Sequence, residues 1–261
     1  MSSSPPNIMN ETAKQRVKFK CVIHKSSDHE IKEKEWGPLA KALLKLEELG
    51  AAPLAIDGRV CGNGAVLSSD DSILVSRSGR YSGTKYDDTQ FVRVTSFDID
   101  TWTANISCDD PTITSEPSSD APLLWYALKV APTKFGWEKH PKFILHGHTC
   151  KTAEDAKRLQ VPCSTKETLF STPADLDALV NLLEDYPYPK HNIFVRLNHG
   201  FFLLADTPDE AIHLFETKLC STSNMKEQVN GKCSRKRKEI GEGEAQGDAK
   251  KSKRRSTEVE Q

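Results

Sequence analysis

Two histidines one residue apart, His146-Gly147-His148, close a short apolar stretch at residues 142–148. In an extended strand, residues i and i+2 point to the same face. Both imidazoles would therefore reach one metal ion at the zinc–nitrogen distance of about 2.0–2.1 Å, and Gly147 leaves the opposite face clear. Two polar residues at a strand end would look the same, but His199 weighs against that reading. It falls at the tip of an expected hairpin beside Gly200, where an imidazole has little packing reason to be. Three imidazoles leave a coordination position open, as in a catalytic rather than a structural zinc site. Cys150 continues the same-face series 146, 148, 150 if the strand persists, which makes it a further candidate ligand. His24, His29, His140, His191 and His213 have no partner spacing and read as surface or packing residues.

The elements that must position these residues follow from hydrophobic periodicity. Residues 34–49 carry Trp36, Leu39, Leu43, Leu44, Leu46 and Leu49 at helical spacing, with Gly50 as the stop. Short runs at 73–76, 91–94 and 102–106 read as strands. A break at 115–119 precedes a helix over 123–130, with Pro122 in its first turn. A brief helix at 152–159 and a longer one from Ser171-Thr172-Pro173 to Leu183 follow. Residues 192–197 and 201–204 form a hairpin through Asn198-His199-Gly200, and a last helix spans 208–219. Strand runs alternating with covering helices give an α/β sandwich with no internal repeat.

Composition bounds the function. A chain of 261 residues with 36 Lys+Arg and 37 Asp+Glu has a net charge of −1, which argues against a dedicated nucleic-acid binder. Residues 221–261 hold 11 Lys+Arg against 7 Asp+Glu, a surplus of +4 that leaves −5 on the first 220 residues. Hydrophobic content of 37% and a mean hydropathy of −0.55 are low for a compact domain, as polar ends would make them. The expected organisation is a disordered segment at 1–14, one domain at 15–220 and a disordered basic tail at 221–261. No apolar run approaches the 18 to 20 or so residues of a membrane span, and the first residues lack the pattern of a signal peptide. Seven scattered cysteines without a Cys-x-x-Cys pair suggest reduced thiols, hence the cytoplasm or the nucleus.

In order along the chain stand Gly62-Asn63-Gly64, Leu74-Val75-Ser76-Arg77-Ser78-Gly79, Pro117-Ser118-Ser119-Asp120-Ala121-Pro122, His146-Gly147-His148, and Asn198-His199-Gly200 followed by Asp209-Glu210-Ala211. This series resembles the class II aldolase/adducin family over roughly residues 35–220. The family includes zinc-dependent fuculose- and rhamnulose-phosphate aldolases, ribulose-phosphate 4-epimerase and methylthioribulose-phosphate dehydratase. The resemblance implies a three-layer α/β/α sandwich on a mostly antiparallel sheet, assembled as a homotetramer with sites between subunits. It implies Zn2+, or another divalent metal, on His146, His148 and His199, and a proton-moving carboxylate at Asp120. Asp120 as a plain cap of the following helix is the competing reading. Asn63, Ser78, Gly79, Ser118 and Ser119 fall on the family's phosphate-binding positions, although each alone is ordinary turn chemistry.

Two departures stand out. Family members commonly follow Gly-Asn with Ser and Arg, whereas Gly64-Ala65-Val66 follows here. The last helix, which in the family continues well past Glu-Ala, ends near Cys220, so the acid or base borrowed from a neighbouring subunit has no counterpart to assign. Aldolases usually carry Glu where Asp120 stands, and Asp resembles the epimerase branch. The expectation is therefore a metal-dependent aldehyde-lyase acting on a small ketose or ketose phosphate through an enediolate. The alternatives are a sugar-phosphate 4-epimerase with the same metal site and a non-catalytic, adducin-like interaction module. In the tail, Arg235-Lys236-Arg237-Lys238 and the cluster at 250–255 resemble a bipartite nuclear signal, which would engage the nuclear import machinery; a solvated tail is the plainer reading.

Overall fold

The computed structural model describes residues 18–25, 30–108 and 116–220, all within one unit, Met1–Ser223. The expectations for residues 1–14, for His29 and for the basic tail lie outside the described residues. Among the described residues no helix is long and apolar enough to cross a membrane.

Eight strands build one sheet: β1 (Lys20–Lys25), β2 (Gly62–Leu67), β3 (Ile73–Ser76), β4 (Phe91–Asp98), β5 (Thr103–Cys108), β6 (Phe143–Gly147), β7 (Ile193–Arg196) and β8 (Gly200–Ala205). Their order is β1-β5-β4-β3-β2-β6-β8-β7. Only the β1–β5 pair is parallel; the others run antiparallel, as expected. The helices are α1 (Glu33–Glu48), α2 (Ala121–Trp125), α3 (Ala131–Lys134), α4 (Ala153–Leu159), α5 (Pro173–Asp185) and α6 (Pro208–Leu214). On one face α1 packs against β2 and β6, joined by α6 against β8; on the other α2 and α5 pack against each other and against β4 and β7. The result is the three-layer α/β/α sandwich.

Pleat alternation divides the core accordingly. Ala65, Ile73, Val75, Val94, Ile144, Phe202 and Leu204 face Leu123, Leu124, Leu176 and Leu179 of the second helical layer. Leu39, Leu43 and Leu46 of α1 are buried as the periodicity requires, while Leu44 is 44% exposed and leaves the expected stripe. At roughly 1.5–3 kcal/mol per fully buried large apolar side chain, this packing carries most of the stabilisation.

Two strands escape sequence reading. The segment of β2 around Gly62-Asn63-Gly64 reads as an anion-binding loop because it lacks the bulky residues of a strand; it is a central strand paired with β3 and β6. The other is β1, with its polar Lys-Cys-Val-Ile-His-Lys sequence. The helix expected at 123–130 starts earlier and ends differently: α2 opens into a π-helical turn at Tyr126–Val130 before α3. Pro132 explains the widening, since its ring clashes with the carbonyl one turn back and it has no N–H to donate. The last helix ends likewise, α6 giving way to a π turn at Phe215–Leu219.

Candidate metal centre

Four residues from three segments of the sequence converge where β6 ends and β8 begins. His146 lies in β6, fully buried, paired across β2 with Asn63 and across β8 with Phe202, on whose ring it stacks at 4.2 Å. His148 lies just beyond the strand end, its ring 4.8 Å from that of His146. His199 sits between β7 and β8 with its ring 4.6 Å from His146. Asp120, 2% exposed, immediately precedes α2. The ligand atoms of Asp120, His146, His148 and His199 all lie within 4.8 Å of one another.

Local backbone geometry makes this possible. A Cβ on Gly147 would come within 2.6 Å of the Phe201 ring and 2.7 Å of the Ala51 carbonyl, so the face opposite the histidines is closed to any larger residue. Gly200 has φ +147°, and a Cβ there would stand 2.0 Å from the Gly147 carbonyl oxygen, which lets β8 approach β6 closely beside His199. Cys150 does not continue the ligand series. The strand stops at Gly147, and Cys150 takes a left-handed φ of 49°. Its thiol is pushed up by burial and is influenced by Asp155 and Arg158.

Asp120 holds the N-cap position of α2 but makes no side-chain cap bond. Instead its Oδ2 accepts the Asn63 amide at 2.6 Å and stands 3.5 Å from His146 Nε2, while Oδ1 stands 3.4 Å from His199 Nε2. A tetrahedral zinc site with bonds of about 2.0–2.1 Å separates its donors by about 3.3 Å, so these spacings suit a shared cation. The ring orientation of His146 is set from behind by Nδ1 against the Phe201 carbonyl oxygen at 2.8 Å, which turns Nε2 into the cluster. His146 Nε2, His199 Nε2 and Asp120 Oδ1 are buried without a hydrogen-bond partner among the described residues. Buried polar atoms left without partners are costly, and a divalent ion would satisfy all three, so the donor set fits the group.

Electrostatics separates the imidazoles. Burial dominates at His146 and depresses its pKa to about 3 despite the neighbouring Asp120. At His199 burial also opposes protonation, but the Asp120 and Asp175 carboxylates outweigh it and raise the pKa to about 9. Burial disfavours the charge on Asp120, yet His199 and His146 hold its carboxyl below the usual carboxylate range.

A second carboxylate, which sequence reading passes over as an ordinary first-turn helix residue, stands behind His199. Asp175 of α5 is fully buried, with Oδ2 3.4 Å from His199 Nδ1 and Oδ1 2.7 Å from Arg196 Nη2. Thr168 donates its hydroxyl to Oδ1, and the Ser171 amide donates to Oδ2. The signal for this group was Arg196, a charged residue ending the otherwise apolar run Ile193-Phe194-Val195. A buried guanidinium demands a carboxylate.

A cavity of about 300 Å³ opens onto the cluster. Asn63, Ser78, Gly79, Ser118 and Ser119 all line it, with Arg77, Phe170, His148 and His199. Gly79 takes φ 84°, and the Ser118 and Ser78 amides bond to the Ser76 and Glu116 carbonyls. Arg80, paired with Glu47 and stacked over Tyr86, ties this loop to α1.

No family model matches the chain, and no curated protein matches it by sequence. Solved structures do: the fold is that of the class II aldolases. The sugar-phosphate aldolase from Thermotoga maritima superposes with a TM-score of 0.55 at 12% identity, covering 76% of this chain and 97% of that one. An aldolase II superfamily protein from Pseudomonas syringae does so at 0.50 and 16% identity, covering 78% and 79%.

Proposed function

We propose that this protein is a divalent-metal-dependent aldehyde-lyase acting on a small ketose or ketose phosphate through an enediolate. The observation that carries the reading is the convergence of three imidazoles and Asp120, with His146 Nε2, His199 Nε2 and Asp120 Oδ1 buried and without a hydrogen-bond partner among the described residues. His146, His148 and His199 would hold the ion, with zinc the first candidate for nitrogen donors. When bound, the ion supplies Lewis acidity toward the substrate's carbonyl and hydroxyl oxygens and charge opposite the developing enediolate.

The chain's own residues supply the rest. In the cleavage direction a hydroxyl proton leaves, the electron pair of the carbon–carbon bond passes toward the carbonyl as an aldehyde departs, and carbon is reprotonated. Asp120 is the group to carry that proton, because it borders the cavity and lies beside the histidines. Asn63 holds it there through Oδ2. Burial of His146 and Asp120 excludes water from the reacting side, and the Ser78, Ser118 and Ser119 wall receives the polar end of the substrate.

Elemental analysis of the purified protein tests the reading. One equivalent of zinc or another divalent ion, lost in His146→Ala, is expected; no bound metal, or equal metal in the variant, overturns it. With metal present, solvent deuterium should exchange into dihydroxyacetone phosphate, and its absence counts against a phosphate-using aldolase. The aspartate at position 120 favours, as the second reading, a sugar-phosphate epimerase with the same enediolate chemistry. Interconversion of two epimeric ketose phosphates without aldehyde release would establish that alternative.

A further inference from the structure

One cation packed against the cavity wall has no role in the chemistry above. Lys18 precedes β1, and its backbone is fixed: Phe19 packs edge-on against Phe97 at 5.6 Å, and the Lys20 amide bonds to the Trp102 carbonyl. Its ammonium nitrogen is buried, without a hydrogen-bond partner among the described residues, and stands 3.6 Å from the centroid of the Phe170 ring. Phe170 is part of the cavity wall and lies 6.3 Å from the His199 ring. Burial pulls the Lys18 pKa down, while the Asp120 and Asp175 carboxylates pull it up, so the amine lies within the field of both.

Cation–π contact offsets part of the desolvation of an ammonium but supplies no acceptor for its N–H groups. A buried ammonium whose donors find no partner among the described residues calls for an anionic partner. Charge counting gives the same answer. Asp120 and Asp175 contribute two negative charges and Arg196 one positive. A divalent ion brings this group to about +1 and Lys18 to about +2, which an anionic ligand would offset.

Resting on the metal-dependent reading above, we propose that Lys18 is a substrate-contacting residue. Its ammonium pairs with the anionic oxygens of a small enediolate-like ligand bound at the His–Asp cluster. It thereby provides a cation from the N-terminal side of the fold. The ligand class is a compact two-oxygen anion: an enediolate, a hydroxamate or a 2-hydroxy carboxylate.

The full-length protein, its Lys18→Met and its Lys18→Arg variants, each reconstituted with zinc, would be titrated calorimetrically with glycolohydroxamate, a planar two-oxygen anion without phosphate. Zinc stoichiometry and the thermal midpoint would be recorded for each. The expected result is unchanged zinc content, a Kd raised about tenfold or more in Lys18→Met, as loss of a charge-assisted hydrogen bond implies, and a Kd within about threefold of the parent in Lys18→Arg. Equal affinity in the parent and Lys18→Met, with zinc bound to both, overturns the role of Lys18 and leaves the lyase reading standing. Loss of zinc or of the thermal midpoint in Lys18→Met assigns the residue to structure and overturns the proposal. A parent protein that binds no zinc or other divalent metal overturns the lyase reading and this proposal together.

Discussion

His199 and His146 respond to pH in opposite senses although their rings are 4.6 Å apart. For His199, whose folded pKa is raised to about 9, the stabilisation is fully present below the ordinary 6.5 and is lost as pH rises toward 9. For His146, depressed to about 3, the neutral buried ring contributes fully above 6.5 and its contribution is lost as pH falls toward 3. The chelator-treated protein should therefore be most stable near pH 6.5, as denaturant midpoints across pH 4–9 would read. A monotonic profile would contradict the two assignments. Asp175 has a different role: it stands 3.4 Å behind His199 Nδ1 and neutralises Arg196. Asp175→Asn should weaken zinc binding about 10- to 100-fold, as removing the partner behind a ligating histidine does. It should also cost about 3–5 kcal/mol in urea unfolding, because Arg196 is left as an uncompensated buried charge.

Among the elements, the packing of β6 against β8 decides whether the histidines converge. Gly147 and Phe201 are register partners across these strands, and the space above Gly147 is filled by the Phe201 ring and the Ala51 carbonyl. Gly147→Ala should cost about 1–3 kcal/mol by overpacking and lower zinc affinity, measured by urea titration and by competition with a chromogenic chelator. Helix α5 carries Asp175, and its N-cap Thr172 accepts a hydrogen bond from the Asp175 amide. Thr172→Ala is expected to cost about 1 kcal/mol, with a smaller loss of zinc affinity than Asp175→Asn. These two elements were legible in the sequence to within a residue or two, since β6 is a continuous apolar run and α5 has helical spacing after Thr-Pro. By contrast, β2 was not, because its glycines and asparagine carry turn chemistry that only its burial between β3 and β6 overrides.

For the whole molecule, the sheet and its two helical layers are built from residues up to 220, and the candidate metal cluster lies in the same unit. A chain ending at Ser223 should keep the thermal midpoint of the full chain within about 2 °C, since a ΔΔG of 1 kcal/mol in a domain of this size moves Tm by about 2–4 °C. Zinc at a hundredfold excess over its Kd should add about 2.7 kcal/mol to unfolding, and a chelator should remove it. With −5 on residues 1–220, the anion binding proposed above would rest on local groups, namely the proposed ion, the serine wall and the cations Arg77 and Lys18.

By themselves, the residues gave an α/β sandwich and a candidate metal-binding pair of histidines; the three-layer, mostly antiparallel architecture followed from the family resemblance. Periodicity is a local property, and His-x-His on an apolar strand states its own geometry through the pleat. Asp120 joined the histidine pair at 146 and 148 only through the family resemblance, and His199 through its place at a hairpin tip. Neither carries a local spacing that ties it to the pair, and the approach of all four to within 4.8 Å required the β2–β6–β8 pairing. Tertiary structure alone decided that Asp120 turns away from capping toward Asn63, that Asp175 stands between Arg196 and His199, and that Lys18 lies over Phe170 on the cavity wall. Each of these depends on which side chains share a buried, low-dielectric volume, and sequence spacing carries no record of that.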